Sequence, residues 1–130
     1  MTRKQAREEA FILIFEKEFS DCPIDEILEL AIEVRDLVPD EYITEVFGGV
    51  FENLESIDSD ISNNLVGWKK ERISKTVLAI LRLAIFEIRY IESIPHSVSI
   101  NEAVELAKKY ATKEDAAFVN GILSTIVKNV

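Results

Sequence analysis

With one cysteine and one histidine in 130 residues, Cys22 and His96, the chain cannot form an internal disulfide or a His/Cys cluster at structural zinc spacing. Hydrophobic burial must hold the fold, and a single domain of this length buries roughly two thirds of its unfolded surface. The scarcity of cysteine also points to a reducing compartment. Proline occurs only at 23, 39 and 95 and glycine only at 48, 49, 67 and 121, so no linker or low-complexity stretch divides the chain. The longest apolar run, Thr76 to Ile91, is 16 residues broken by Arg82, Glu87 and Arg89; a membrane span needs roughly 20. The apolar run behind Arg3, Lys4 and Arg7 ends at Phe15 with no small-residue cleavage site, so the N-terminus does not read as a signal peptide. A cytoplasmic protein without membrane contact is expected.

Catalytic motifs are absent too. The chain has no G-x-S-x-G, no P-loop and no H-E-x-x-H, and its carboxylates are spread over helix faces instead of being paired among apolar positions. His96 follows Pro95 in a connection, and Cys22 has no lysine, arginine or histidine within four residues to activate a thiolate. No enzyme, cofactor or metal is expected. A net charge of −9 excludes a surface that is basic all round. The charge is uneven, however: residues 16–60 hold 15 acidic and 2 basic side chains, whereas 61–130 hold 7 and 10. An acidic segment thus lies between mildly basic flanks, which is compatible with solvated helix faces or with a local anion-binding face.

What is present is helical periodicity throughout. Thr76 to Ile91 is apolar nearly all round and reads as the central buried helix, within a helix from about Ser74 to Glu92. Helices are expected over about Arg3–Phe19, Pro23–Asp36, Asp40–Leu54 and Ile57–Val66. In the second, Ile27, Leu28, Leu30, Ala31 and Val34 are the expected core face. Ser99-x-x-Glu102 and Thr112-x-x-Asp115 match the capping-box spacing and predict helices over Ile100–Tyr110 and from Thr112 to about Lys128. The fold class is therefore all-α, with about seven helices and no sheet. Ile14-Phe15-Glu16 recurs as Ile85-Phe86-Glu87, and Val46 to Phe51 aligns with Phe118 to Leu123, offsets of 71 and 72 that fit two similar halves, about 1–66 and 67–130. Glycine inside a helix in both copies suggests that another backbone approaches there.

Arg3, Lys4 and Arg7 occupy the first turns of a helix, where the macrodipole and free amides favour anions. A bound phosphate backbone or a solvated helix start both fit, since Glu8 and Glu9 follow. Lys69, Lys70, Arg72 and Lys75 form a second cluster that leaves the same two possibilities open, next to Trp68, which is expected in the core. Glu87, on an otherwise apolar helix, must reach either an interface or a core arginine such as Arg82.

The blocks Arg3-Lys4-x-Ala6-Arg7-Glu8-x-Ala10, Trp68-x-x-x-Arg72-Ile73, Ala79-Ile80-Leu81-Arg82-Leu83-Ala84-x-Phe86-Glu87, Ile94-Pro95, Ile100 to Lys108 and Phe118 to Leu123 resemble the NusB transcription antitermination family along essentially the whole chain. The resemblance implies two three-helix bundles around the central helix and no catalysis. It implies binding of boxA-type single-stranded RNA together with NusE, a small-subunit ribosomal protein, in a complex with other Nus factors and RNA polymerase that promotes transcription of ribosomal RNA operons. Carried over residue by residue, it makes Arg3, Lys4 and Arg7 RNA contacts and assigns an influence on RNA binding to the helix start at Lys113 and Glu114. It also places Glu87, with Arg82, on the NusE-facing surface. The family includes monomers and homodimers, so a homodimer stays open. The sequence departs from the family at Val77-Leu78, where a polar pair is common, and in a sparser arginine run at the start. The competing reading is a helical protein-interaction module that does not bind RNA by itself.

Overall fold

The computed structural model describes residues 1–65 and 70–130. Trp68 and Lys69, expected in the core and in the second basic cluster, lie outside the described residues. Among the described residues seven α-helices follow one another: α1 Arg3–Lys17, α2 Ile24–Arg35, α3 Glu41–Glu52, α4 Leu54–Asn63, α5 Lys75–Tyr90, α6 His96–Tyr110 and α7 Lys113–Lys128. A single 3₁₀ turn, Lys70–Arg72, precedes α5, and no strand occurs among the described residues. No helix among the described residues is long and apolar enough to cross a membrane.

The organisation follows from α5. The Ser74 hydroxyl accepts the Val77 amide at 3.2 Å and starts the helix, and every residue from Val77 to Ile88 is buried. A helix apolar on all sides needs cover on all sides. Helices α1, α3, α4, α6 and α7 supply it, giving two three-helix bundles, α1–α3 and α5–α7, that share one continuous core around α5. Helix α4 is tied to α5 by charge as well. Arg82 donates from Nε and Nη2 to Asp58 at 3.0 and 2.9 Å and from Nη1 to Glu18 at 2.6 Å, while Arg89 grips Asp60 through two bonds of 2.8 and 2.7 Å.

Local chemistry sets most boundaries. Thr2 and Gln5 form a capping box at α1, Asp40 caps α3 by accepting the Ile43 amide at 2.8 Å, and the expected Thr112/Asp115 box opens α7. Three expectations are corrected. Helix α6 starts at His96, not Ile100: the chain turns helical directly after Pro95, so Ser99 lies one turn inside and its buried hydroxyl goes to Glu87 instead of capping. On α2 only Ile27 and Ala31 are buried, whereas Leu30 and Val34 are 53% and 76% exposed, because among the described residues α2 packs mainly on α1. The helical glycines meet no backbone. The Phe86 ring lies so close over Gly49 that a Cβ there would be 2.3 Å from it, and nothing lies within 4 Å at Gly48 or Gly121.

Candidate nucleic-acid interface

The first turns of α1 lie beside α6, and buried charge holds them there. Arg7 is 4% exposed and Glu87 0%. Arg7 Nε donates to Glu87 Oε2 at 2.8 Å, the Tyr42 hydroxyl donates to the same oxygen, and Ser99 Oγ donates to Oε1 at 2.8 Å. One carboxylate thus receives bonds from α1, α3 and α6 while standing on α5. Burial alone would lower the Arg7 pKa, but the hydrogen bond and charge of Glu87, with Tyr42 and Glu102, raise it above the ordinary arginine value. Burial, then the charge of Glu87 and its hydrogen bond, push the Tyr42 phenol well up, so it stays a neutral donor.

The structure places three of the expected site residues, Arg7, Glu87 and Arg82, inside the fold. Arg7 is committed to a buried carboxylate and is not presented to a phosphate backbone. Glu87 lies inside the fold, not on a partner-facing surface; its arginine partner is Arg7 and not Arg82. Arg82, 5% exposed, is likewise consumed by Glu18 and Asp58. Burial would raise the pKa of those two carboxyls, but hydrogen bonds and charge from Arg82, helped by Lys75 at Glu18 and Lys70 at Asp58, hold both below the usual range. Two members of the second basic cluster are therefore paired, Lys70 with Asp58 at 2.9 Å and Lys75 with Glu18 at 3.2 Å.

Arg3 and Lys4 remain at the surface. The Arg3 guanidinium lies 4.5 Å from the centroid of the Tyr42 ring, a cation–π contact that holds it over the buried network. Lys4 Nζ donates to Glu102 at 3.3 Å, and across a cleft of about 160 Å³ Lys109 Nζ donates to Glu8 at 2.9 Å. Lys113, the first residue of α7, is exposed and lines a second hollow with Lys108. The α1–α6 edge thus carries the exposed cations Arg3, Lys4 and Lys109 among Glu8, Glu102 and Glu105, and Lys113 stands exposed at the start of α7. Glu114 points elsewhere, into a separate hollow with Arg72, Val77 and Phe118. Lys109 has no role in the sequence reading, though the Lys108-Lys109 pair in a last helical turn was a visible signal. Tyr42 and Ser99 had none, since their partner is 45 and 12 residues away. Among the described residues no group of three His, Cys, Asp or Glu side chains is placed to hold a metal ion.

The NusB family model matches residues 4–128. The chain belongs to the NusB family. A relative from Acetivibrio thermocellus, a transcription antitermination protein NusB, is 47% identical over 98% of this chain and 90% of its own length. Among solved structures, NusB in a crystal structure of antitermination factors NusB and NusE in complex with dsRNA superposes with a TM-score of 0.88 at 27% identity, covering 98% of this chain and 97% of that one. T. maritima NusB gives 0.86 at 36% identity, with 98% and 92% covered. The similarity to the NusB proteins spans both bundles, with Lys4, Arg7 and the buried α5 carboxylate inside the region that the family model matches.

Proposed function

We propose that the chain is a non-catalytic antitermination factor of the cytoplasm. It binds boxA-type single-stranded RNA together with a NusE-type ribosomal protein, and joins other Nus factors and RNA polymerase to sustain transcription of ribosomal RNA operons. The observation that carries this reading is the exposed cation edge of Arg3, Lys4 and Lys109, with Lys113 at the start of α7, on a chain similar throughout to NusB proteins, one of them solved with NusE and dsRNA. Lys4 and Lys109 each lean on a carboxylate, but exposed pairs of this kind contribute only about 0–1 kcal/mol, so a phosphate can displace Glu102 or Glu8. The buried Arg7–Glu87 pair fixes the edge in place without touching RNA.

The test is a salt titration of binding to a boxA-like RNA and a base-scrambled control, with NusE present. Each phosphate neutralised on a single strand contributes about 0.7 to the slope of log K against log salt. The Arg3→Ala/Lys4→Ala/Lys109→Ala variant should therefore flatten the slope by up to about 2 units. Preference for the boxA-like sequence should survive, since phosphate contacts position a strand without reading it. An unchanged slope would favour the second reading, a protein-interaction module without RNA binding of its own, to which the carboxylate partners of Lys4 and Lys109 and the net charge of −9 lend support.

A further inference from the structure

Helix α2 covers only part of its apolar surface. Between α2 and the end of α1 runs a groove of about 450 Å³ lined by Phe15, Phe19, Ile27, Leu30 and Val34, with Phe19 itself 64% exposed. Leaving three large apolar side chains open along one groove is unfavourable for a free surface and marks a place where something docks. The surroundings select its chemistry. Glu26 and Glu33 lie four residues before and three after Leu30, on the same strip of helix, and both are exposed, as is Glu29 beside them. Glu16 lines the groove from α1 but is itself paired with Arg35. Arg35, the basic residue in the lining, is already shared between Glu9 at 3.5 Å and Glu16 at 3.2 Å.

We propose that this α1–α2 groove docks a basic amphipathic segment of a partner protein, its apolar face on Phe19, Leu30 and Val34 and its lysines or arginines over the glutamates. A nucleic acid would bring phosphates to an acidic rim. A second copy of the chain, joined through this face about a two-fold axis, would bring a second set of the same glutamates into the interface without supplying cations for them. A cationic helix or strand with apolar anchors meets both requirements. The groove lies at the opposite end of α1 from the cation edge: Lys4 and Phe15 are separated by about 16 Å of helical rise, so RNA and this partner can be held together. The proposal deepens the protein-partner side of the function above, and its test uses no RNA, so either can fail alone.

The probe is a synthetic helical peptide of about four turns with leucine on one face and lysine on the other, titrated into the isotope-labelled full chain and followed by amide chemical shifts. A control peptide carries glutamate in place of lysine. The lysine peptide should move signals at the end of α1 and along α2, and Phe19→Ser/Val34→Ser should weaken it at least about tenfold, 1.4 kcal/mol. Both positions are exposed, so the melt should not change. If it does, Glu26→Lys/Glu33→Lys, which leaves the apolar groove intact, must weaken binding by a similar factor. Equal binding of the glutamate peptide, shifts confined to other helices, or no binding at about 1 mM peptide overturns the proposal. So does sedimentation showing that the chain pairs with itself through this face.

Discussion

Replacing Glu87 by alanine tests the central charge arrangement most directly. The carboxylate is wholly buried and serves as the acceptor for Arg7, Tyr42 and Ser99. Its removal strands a guanidinium that is 4% exposed, with only Glu102 at 3.5 Å to offset the charge, and leaves two hydroxyls without their acceptor. Breaking one side of a buried pair costs about 3–5 kcal/mol. An orphaned hydroxyl adds about 1–3, but shared partners make these contributions overlap rather than sum. We expect a loss of about 4 kcal/mol at pH 7, which for a chain of this size is a fall in Tm of the order of 15 °C. Urea melts followed by circular dichroism measure it. The double variant Arg7→Met/Glu87→Leu, which removes both charges and keeps the volume, should regain most of the loss. Coupling in the Arg7/Glu87 cycle should then exceed about 2 kcal/mol. A Glu87→Ala protein within about 1 kcal/mol of wild type, or strictly additive single variants, would refute the reasoning and return Glu87 to a surface role.

Two other outcomes follow from the same geometry. Glu18 and Asp58 titrate below their usual range when folded, so the unfolded chain takes up protons first as pH falls; their contribution is complete above the ordinary values of 4.5 and 3.8 and is lost as pH drops through the lowered ones. Arg82→Met removes the cation responsible, so its stability deficit against wild type in urea melts should be largest near pH 6 and narrow toward pH 3; a constant deficit would contradict the assignment. Helix propensity favours alanine over glycine by about 1 kcal/mol, so Gly121→Ala, into open space, should raise Tm, whereas Gly49→Ala, against the Phe86 ring, should lower it. Equal shifts of one sign in thermal melts would count against the packing described at Phe86.

Periodicity and cap chemistry, which depend on residues within a few positions of one another, were legible in the chain itself. The seven helices, the burial of α5 and the Thr112 box at α7 were readable because an all-apolar helix has one stable place and a capping box is a local hydrogen-bond problem. The cations at Arg3 and Lys4 were legible as surface charge for the same reason. Partner choice was not. Residue type required a destination for the Glu87 carboxylate, but only the packing of α1, α3 and α6 on α5 decided that it would be Arg7, Tyr42 and Ser99. Packing likewise buried Arg7 and Arg82 against carboxylates that lie far from them in the sequence. Leu30 and Val34 carry the helical pattern of a core face, yet α2 is covered from one side only, so tertiary structure left them in solvent. A side chain's polarity is encoded locally, whereas its neighbour and its exposure are set by which helices close over it.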